Sequence, residues 1–206
     1  MFKFLQSAAV PEQFPADEGA EVAIAGRSNA DKSSAINAIT GRHALARTSK
    51  LPGRTRLVNF FELAPHTRLV DLPGYGYAQG PPIDRRQWAS AIEALARRRS
   101  LAGLLLVIDV RRGMGDADAQ LLDWAADHAR AVHVLLSKSD QLSRQQSRSA
   151  LAAAQSSLGG RASVQLFSAR DGSGVEAARA QLSDWLGSAV AWPQGPERIR
   201  KSPGSS

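Results

Sequence analysis

Lys32, Ser33, Asp71, Lys138 and Asp140 are of types, and at spacings, that suit chemistry on a phosphorylated, planar ligand. Gly26 opens a polar turn that closes in Lys32-Ser33. A lysine so placed reaches the β- and γ-phosphates of a nucleotide, and the neighbouring hydroxyl holds Mg²⁺. For the turn's N–H groups to face an anion, it must join a strand to the start of a helix. The chain supplies both. The apolar run Val22-Ala23-Ile24-Ala25 precedes the turn, Ile36 and Ile39 follow at helical spacing, and Gly41 is placed to end the helix.

The turn departs from the pattern G-x-x-x-x-G-K-[S/T] at one position, where Asp31 stands directly before the lysine. Glycine there lets backbone lie close to phosphate and tolerates unusual dihedrals. Aspartate adds bulk and negative charge. Two like unit charges ~4 Å apart repel by ~4 kcal/mol at an effective dielectric of about 20, or about three decades of affinity. The turn alone therefore leaves two readings open, a nucleotide binder and a nucleotide-blind relative of one.

Three more signals fall at predicted strand ends. Asp71-Leu72-Pro73-Gly74 is D-x-x-G, in which the aspartate fixes Mg²⁺ through water and the Gly74 N–H senses a γ-phosphate. Between it and the first turn, Thr55 in Pro52-Gly53-Arg54-Thr55-Arg56 sits where a switch threonine caps the metal. Ser137-Lys138-Ser139-Asp140 follows an apolar strand; a carboxylate there accepts hydrogen bonds from guanine N1–H and N2–H₂, which adenine does not offer, and the lysine stem lies over the base. Phe167-Ser168-Ala169 follows the last strand, where backbone N–H groups meet guanine O6. Singly, each also reads as an ordinary turn. Their order along the chain makes them one site.

The elements that must position these groups are legible as alternating strands and helices. Strands are predicted at 22–25, 57–63, 67–71, 104–109, 132–137 and 163–167. Helices are predicted after Lys32, at 84–99 with Asp84 as N-cap, from an Asp116 N-cap to 128, at 143–158 and at 175–186. This is an α/β fold: three layers, a mostly parallel six-stranded sheet and helices on both faces, with ligands at the carboxyl ends of the strands. Residues 1–20 read as a lead-in with one short edge strand, 21–188 as the nucleotide-binding domain, and 189–206 as a disordered basic tail.

The 206 residues suit one domain. They contain no cysteine, which excludes disulfides and thiolate chemistry. No apolar run is long enough to span a bilayer and no signal peptide is evident, so a cytoplasmic protein without membrane contact is expected. The four histidines lack metal-ligand spacing, and Gly74, Gly76 and Gly80 miss the dinucleotide spacing. The net charge is +7, with five basic and no acidic residues from 41 to 56, and arginine clusters at 85–86, 97–99 and 111–112. Such an excess suits RNA contact and equally a solvated surface.

The five signals together form the G1-to-G5 signature of translation-factor-related small GTPases. More specifically, GRSNADKSSAIN, TSKLPGRTRLVNFF, DLPGYGYA and RRGMGDAD resemble the EngB (YihA/YsxC) family of ribosome-biogenesis GTP-binding proteins, from about residue 14 to 186. That resemblance implies the Ras-like P-loop GTPase fold, GTP and GDP as ligands, Mg²⁺, slow hydrolysis, and a role in large-subunit assembly linked to cell division and septation. It implies nucleotide contacts from Gly26, Arg27, Ser28, Asn29, Ala30, Asp31, Lys32, Ser33 and Ser34, and from Gly53, Arg54, Thr55, Arg56 and Leu57. It adds Asp71, Leu72, Pro73 and Gly74, then Ser137, Lys138, Ser139, Asp140, Phe167, Ser168 and Ala169. Lys32, Thr55 and Gly74 take the catalytic roles, Ser33 and Thr55 ligate Mg²⁺ with Asp71 acting through water, and Asn29 holds an activating K⁺.

The resemblance also implies a large-subunit precursor or rRNA as partner, and a monomer is expected. Asp31, Leu51, Arg56 and Ser137 depart from the family pattern, and only Asp31 touches the chemistry. Tyr75 stands where Ras-type enzymes carry the glutamine that orients water, so slow turnover is expected. Two other classes remain: a nucleotide-blind ribosome- or RNA-binding protein that keeps the fold, and a small-molecule P-loop kinase, which the SKSD and D-x-x-G spacings oppose.

Overall fold

A computed structural model of the chain describes residues 2–27, 30–46, 57–75, 82–187 and 189–193, with only the backbone path given for 82–88. The strands are β1 (Lys3–Ala8), β2 (Ala20–Gly26), β3 (Val58–Ala64), β4 (Thr67–Asp71), β5 (Leu101–Asp109), β6 (Ala131–Ser137) and β7 (Ser163–Leu166). The helices are α1 (Lys32–Thr40), α2 (Pro82–Ala96), α3 (Asp116–Asp127), α4 (Arg144–Leu158) and α5 (Val175–Leu186). The sheet runs β1-β3-β4-β2-β5-β6-β7. β1/β3 and β3/β4 are antiparallel; β2 pairs in parallel with β4 and β5, and β6 with β5 and β7. The described sheet thus has seven strands rather than the expected six, because the edge strand of the lead-in segment joins it.

Helices cover both faces, and strand alternation decides which residues meet which layer. Val22 and Ile24 of β2, with Leu105 and Val107 of β5, pack against Ile36 and Ile39 of α1 and Val175, Ala178, Leu182 and Leu186 of α5. Their alternates Ala23, Ala25, Leu104, Leu106 and Ile108 face Leu95 of α2, Leu121 and Leu122 of α3, and Leu158 of α4. As the LLLVID run predicts, β5 is buried at the centre of the sheet.

Two expected caps are corrected. Helix α2 starts at Pro82, so Asp84 lies inside it; proline suits a first helical position because its missing N–H has no helical partner there. The N-cap of α3 is Gly115, whose N–H donates to Asp118 Oδ2 at 2.8 Å. Ser143, read as the first residue of α4, is its N-cap, through a reciprocal bond pair with Gln146.

After α5 the chain continues to pack on the body. Val190 is buried, Trp192 Nε1 donates to Ser183 Oγ at 2.8 Å, and its ring meets Phe2 edge-on. Arg179, itself buried, bonds to both Pro193 O and the α1 terminal carbonyl of Ile39. Residues 194–206 lie outside the described residues.

Candidate nucleotide-binding site

β2 delivers Gly26 to the carboxyl edge of the sheet, and the turn after it leads straight into α1. Asp31, the N-cap of α1, has φ 70° and ψ 27°, the left-handed conformation that the missing glycine would take at no steric cost. Aspartate is among the few other residues that visit this region. Its Oδ1 accepts from Ser34 Oγ at 2.6 Å, so the carboxylate is tied to the first turn of the helix. The loop geometry is therefore kept while the negative charge stays.

Lys32 and Asp71 form an ion pair, both side chains largely buried. Asp71 ends β4 as expected, in register with Ile24 of β2, and its Oδ2 also accepts from Asn59 Nδ2 at 3.4 Å. The pair joins the phosphate-turn lysine to the first residue of D-x-x-G across adjacent strands. Ser33 sits one residue later on the first turn of α1, partly exposed. Leu72, next along, is core, with its N–H on Ile24 O.

Tyr75 is turned into the protein. It is buried, its N–H donates to Gly26 O at 3.3 Å, and its hydroxyl donates to Asp118 Oδ1 at 2.6 Å. Burial, then the charge of Asp118, pushes the phenol far above its ordinary range, so it stays protonated. Arg27 lies against Gly115 beside this pair.

The segment from Ser137 to Asp140 is equally well held. Ser137 ends β6, and its hydroxyl donates to Ala30 O at 2.9 Å, linking this segment to the phosphate turn. Lys138 is left-handed (φ 62°), and its ammonium meets Asp109 Oδ2 at 3.0 Å. Ser139 donates its N–H to Phe167 O at 3.1 Å, which joins the segment to Phe167-Ser168-Ala169. Ser168, fully buried, donates through Oγ to Asp140 Oδ1 at 2.8 Å. Among the described residues Asp140 Oδ2 is buried without a hydrogen-bond partner; Arg170 Nη1 forms an ion pair with it at 3.6 Å. A buried carboxylate oxygen without a donor is costly.

The fold thus brings together Gly26, Ala30, Lys32, Ser33, Asp71, Ser137, Lys138, Asp140 and Ser168. Ser28, Asn29, Gly53, Arg54, Thr55 and Arg56 lie outside the described residues, and with them the switch-threonine and K⁺ expectations; Leu57 is exposed just before β3. Arg98, grouped with possible RNA-contact arginines, is instead buried on Glu21. Sequence reasoning missed Asp109, Arg111 and Asp118 as members of the site. The signal was the segment RRGMGDAD, which opens with Arg111 and ends with Asp118.

Known proteins share the sequence and the fold. Residues 21–138 match the family described as 50S ribosome-binding GTPase. A probable GTP-binding protein EngB from Nitrosococcus oceani is 52% identical over 185 residues, covering 88% of this chain and 92% of its own. One from Coxiella burnetii is 46% identical over 190 residues, covering 90% and 93%. The chain belongs to the EngB family of GTP-binding proteins. A crystal structure of a probable GTP-binding protein EngB shares the fold at a TM-score of 0.65 and 21% identity, over 81% of this chain and 98% of that one. Era, solved with MgGDPNP and a 16S ribosomal RNA segment, shares it at 0.64 and 18%, over 86% and 58%. The described residues of this EngB-family chain have the Ras-like P-loop GTPase fold. The GTPase motifs sit at the strand ends, and guanine nucleotide is the ligand class.

Proposed function

We propose that this EngB-family protein is a GTP/GDP switch that acts in large ribosomal subunit assembly in the cytoplasm, with slow intrinsic GTP hydrolysis. The observation that carries the nucleotide half is Asp140. One oxygen is held by Ser168 and the other is buried without a donor, the state that guanine N1–H and N2–H₂ complete. Slow turnover follows from Tyr75, whose hydroxyl is engaged by Asp118 where a water-orienting side chain is needed. The assembly role rests on family membership together with the net charge of +7.

The residues present suit Mg²⁺. Ser33 on the first turn of α1 and the Asp71 carboxylate are hard oxygen donors beside Lys32. Among the described residues no cluster of three His, Cys, Asp or Glu competes for a metal. Ser33 would hold the ion directly and Asp71 through water; Thr55 is the proposed second ligand and Asn29 a K⁺ ligand. Bound there, the ion would neutralise phosphate charge. Lys32 would turn its ammonium from Asp71 to the phosphates, and Gly74 would offer its N–H.

Asp31 sustains a second reading, in which the protein binds ribosome or RNA but not nucleotide. Its carboxylate is an added negative charge at the phosphate turn. Titration with GDP and GTP, with and without Mg²⁺, separates the two, followed by co-sedimentation with large-subunit precursors. Mg²⁺-dependent GDP binding and GTP-enhanced co-sedimentation are expected. Co-sedimentation indifferent to nucleotide, with no GDP affinity, establishes the nucleotide-blind reading.

A further inference from the structure

We propose that Asp109 and Arg111 are positioning residues for guanine recognition, holding Lys138 and the Asp140 turn from behind. The proposal rests on the guanine-binding reading of the site and assigns function to two residues outside its motifs.

Asp109 is the last residue of β5 and pairs in register with Ser137 of β6, so its side chain rises beside the base-recognition segment. It is 4% exposed. Its carboxylate collects four donors: Arg111 N–H at 3.1 Å, Arg111 Nε at 2.9 Å, Arg111 Nη2 at 2.6 Å and Lys138 Nζ at 3.0 Å. The remaining reach of the guanidinium, Nη1, donates to Gln141 Oε1 at 2.7 Å. Gln141 closes the single turn Ser139–Gln141 that carries Asp140. One carboxylate therefore sets two cations. One is the lysine that lies over the base, and the other braces the turn bearing the base-reading aspartate.

The arrangement answers a physical need. Lys138 is left-handed, a conformation that disfavours a long side chain and persists only when its surroundings impose it. A lysine ammonium on four rotatable bonds would otherwise be drawn to Asp140, whose Oδ2 has no hydrogen bond. Such a contact would occupy the group that guanine must meet. Asp109 competes for that ammonium and leaves Asp140 to the base. The bonds from Arg111, then those from Lys138, outweigh burial and hold the Asp109 carboxyl well below the usual carboxylate range, so this carboxylate is charged throughout the physiological range.

The test is a double-mutant cycle read as GDP dissociation constant and GDP release rate, using the full chain. Asp109→Asn and Lys138→Ala are each expected to weaken GDP binding by about tenfold, the worth of one charge-assisted bond. The double variant should fall short of the product of the two single changes, because one of the two arms of Asp109 acts through Lys138. Fold-changes that multiply in the double variant overturn the proposal, as does unchanged GDP release in Asp109→Asn. Asp109→Glu should recover part of the loss. Should Asp109→Asn fail to fold, the same cycle is run on Arg111→Ala and Gln141→Ala, with the same two outcomes. Absence of GDP binding by the unaltered protein refutes the nucleotide reading itself, a result distinct from additivity.

Discussion

The two ends of the parallel strands both bury charge, and they do it in opposite ways. At the amino ends, Glu21 of β2 is fully buried, yet each oxygen is occupied. Arg68 Nη1 donates to Oε1 at 2.6 Å, Arg98 Nη2 to Oε1 at 2.9 Å, Arg98 Nε to Oε2 at 2.7 Å and Ser100 Oγ to Oε2 at 3.0 Å. The lead-in segment closes the network: Ala16 O accepts from both arginines, and Asp17 accepts from the Ser100 hydroxyl and from the N–H groups of Arg99 and Ser100. Left-handed residues occur at both ends, His66 and Ala129 before β4 and β6, Asp31 and Lys138 after β2 and β6, but among the described residues Asp140 Oδ2 at the carboxyl ends has no hydrogen bond. A satisfied network fixes the β2–β4–β5 junction. The incompletely bonded carboxylate, Asp140, is the one that a ligand can complete.

The strongest way to break this contrast is to remove one carboxylate from each end. Glu21→Gln leaves Arg68 and Arg98 buried against a neutral amide, and unfolding free energy should fall by about 3–5 kcal/mol in urea. Asp140→Asn should shift stability by less than about 1 kcal/mol, while GDP affinity drops by about a hundredfold or more as two charge-assisted bonds are lost. Equal destabilisation by both variants would erase the distinction between the two ends.

A smaller effect sharpens the reading of the carboxyl end. Asp31→Gly relieves the left-handed strain of about 1 kcal/mol, but the freer unfolded chain offsets much of it, so the melting temperature should barely move. GDP affinity should rise by about tenfold or more as the charge at the phosphate turn disappears. Equal affinity in calorimetric titrations of the two proteins would mean that the Ser34 bond already keeps the carboxylate harmless.

The smallest effects are titrations. Burial depresses His133, held between Ser163 at 2.6 Å and Gln165 at 2.9 Å, below its ordinary 6.5. The unfolded chain then takes up the proton first, so stability present above pH 6.5 declines as pH falls below that value. At Asp17, burial raises the pKa, but hydrogen bonds from Ser100 and Arg99 prevail and bring it to about 2 from 3.8. Its contribution is present above pH 3.8 and is lost as pH falls through about 2. Urea midpoints taken across pH should show both declines, and His133→Gln should remove only the first.

Much of this was legible because short-range patterns carried it. The apolar runs located β2, β5 and β6, Gly41 ended α1, and the core positions of α5 fell at Val175, Ala178, Leu182 and Leu186. The strand ends then placed Lys32, Asp71 and Asp140 on one edge. Caps were less legible: Gly115 caps α3 because Asp118, three residues on, reaches its N–H, and a side chain's reach is invisible in a string of letters.

What the sequence by itself determined was the alternation of strand and helix and the order of the nucleotide motifs, since period and spacing are local properties. What only the tertiary structure decided was the state of each charge. Asp31 looked like a lost glycine, and the fold kept glycine's dihedrals while Ser34 took its carboxylate. Tyr75 looked like a missing catalytic residue and is bound to Asp118, 43 residues away. Arg98 looked like exposed basic surface and is the buried partner of Glu21. Charge in a protein acquires its meaning from burial and from partners, and both are set by residues far away in the chain.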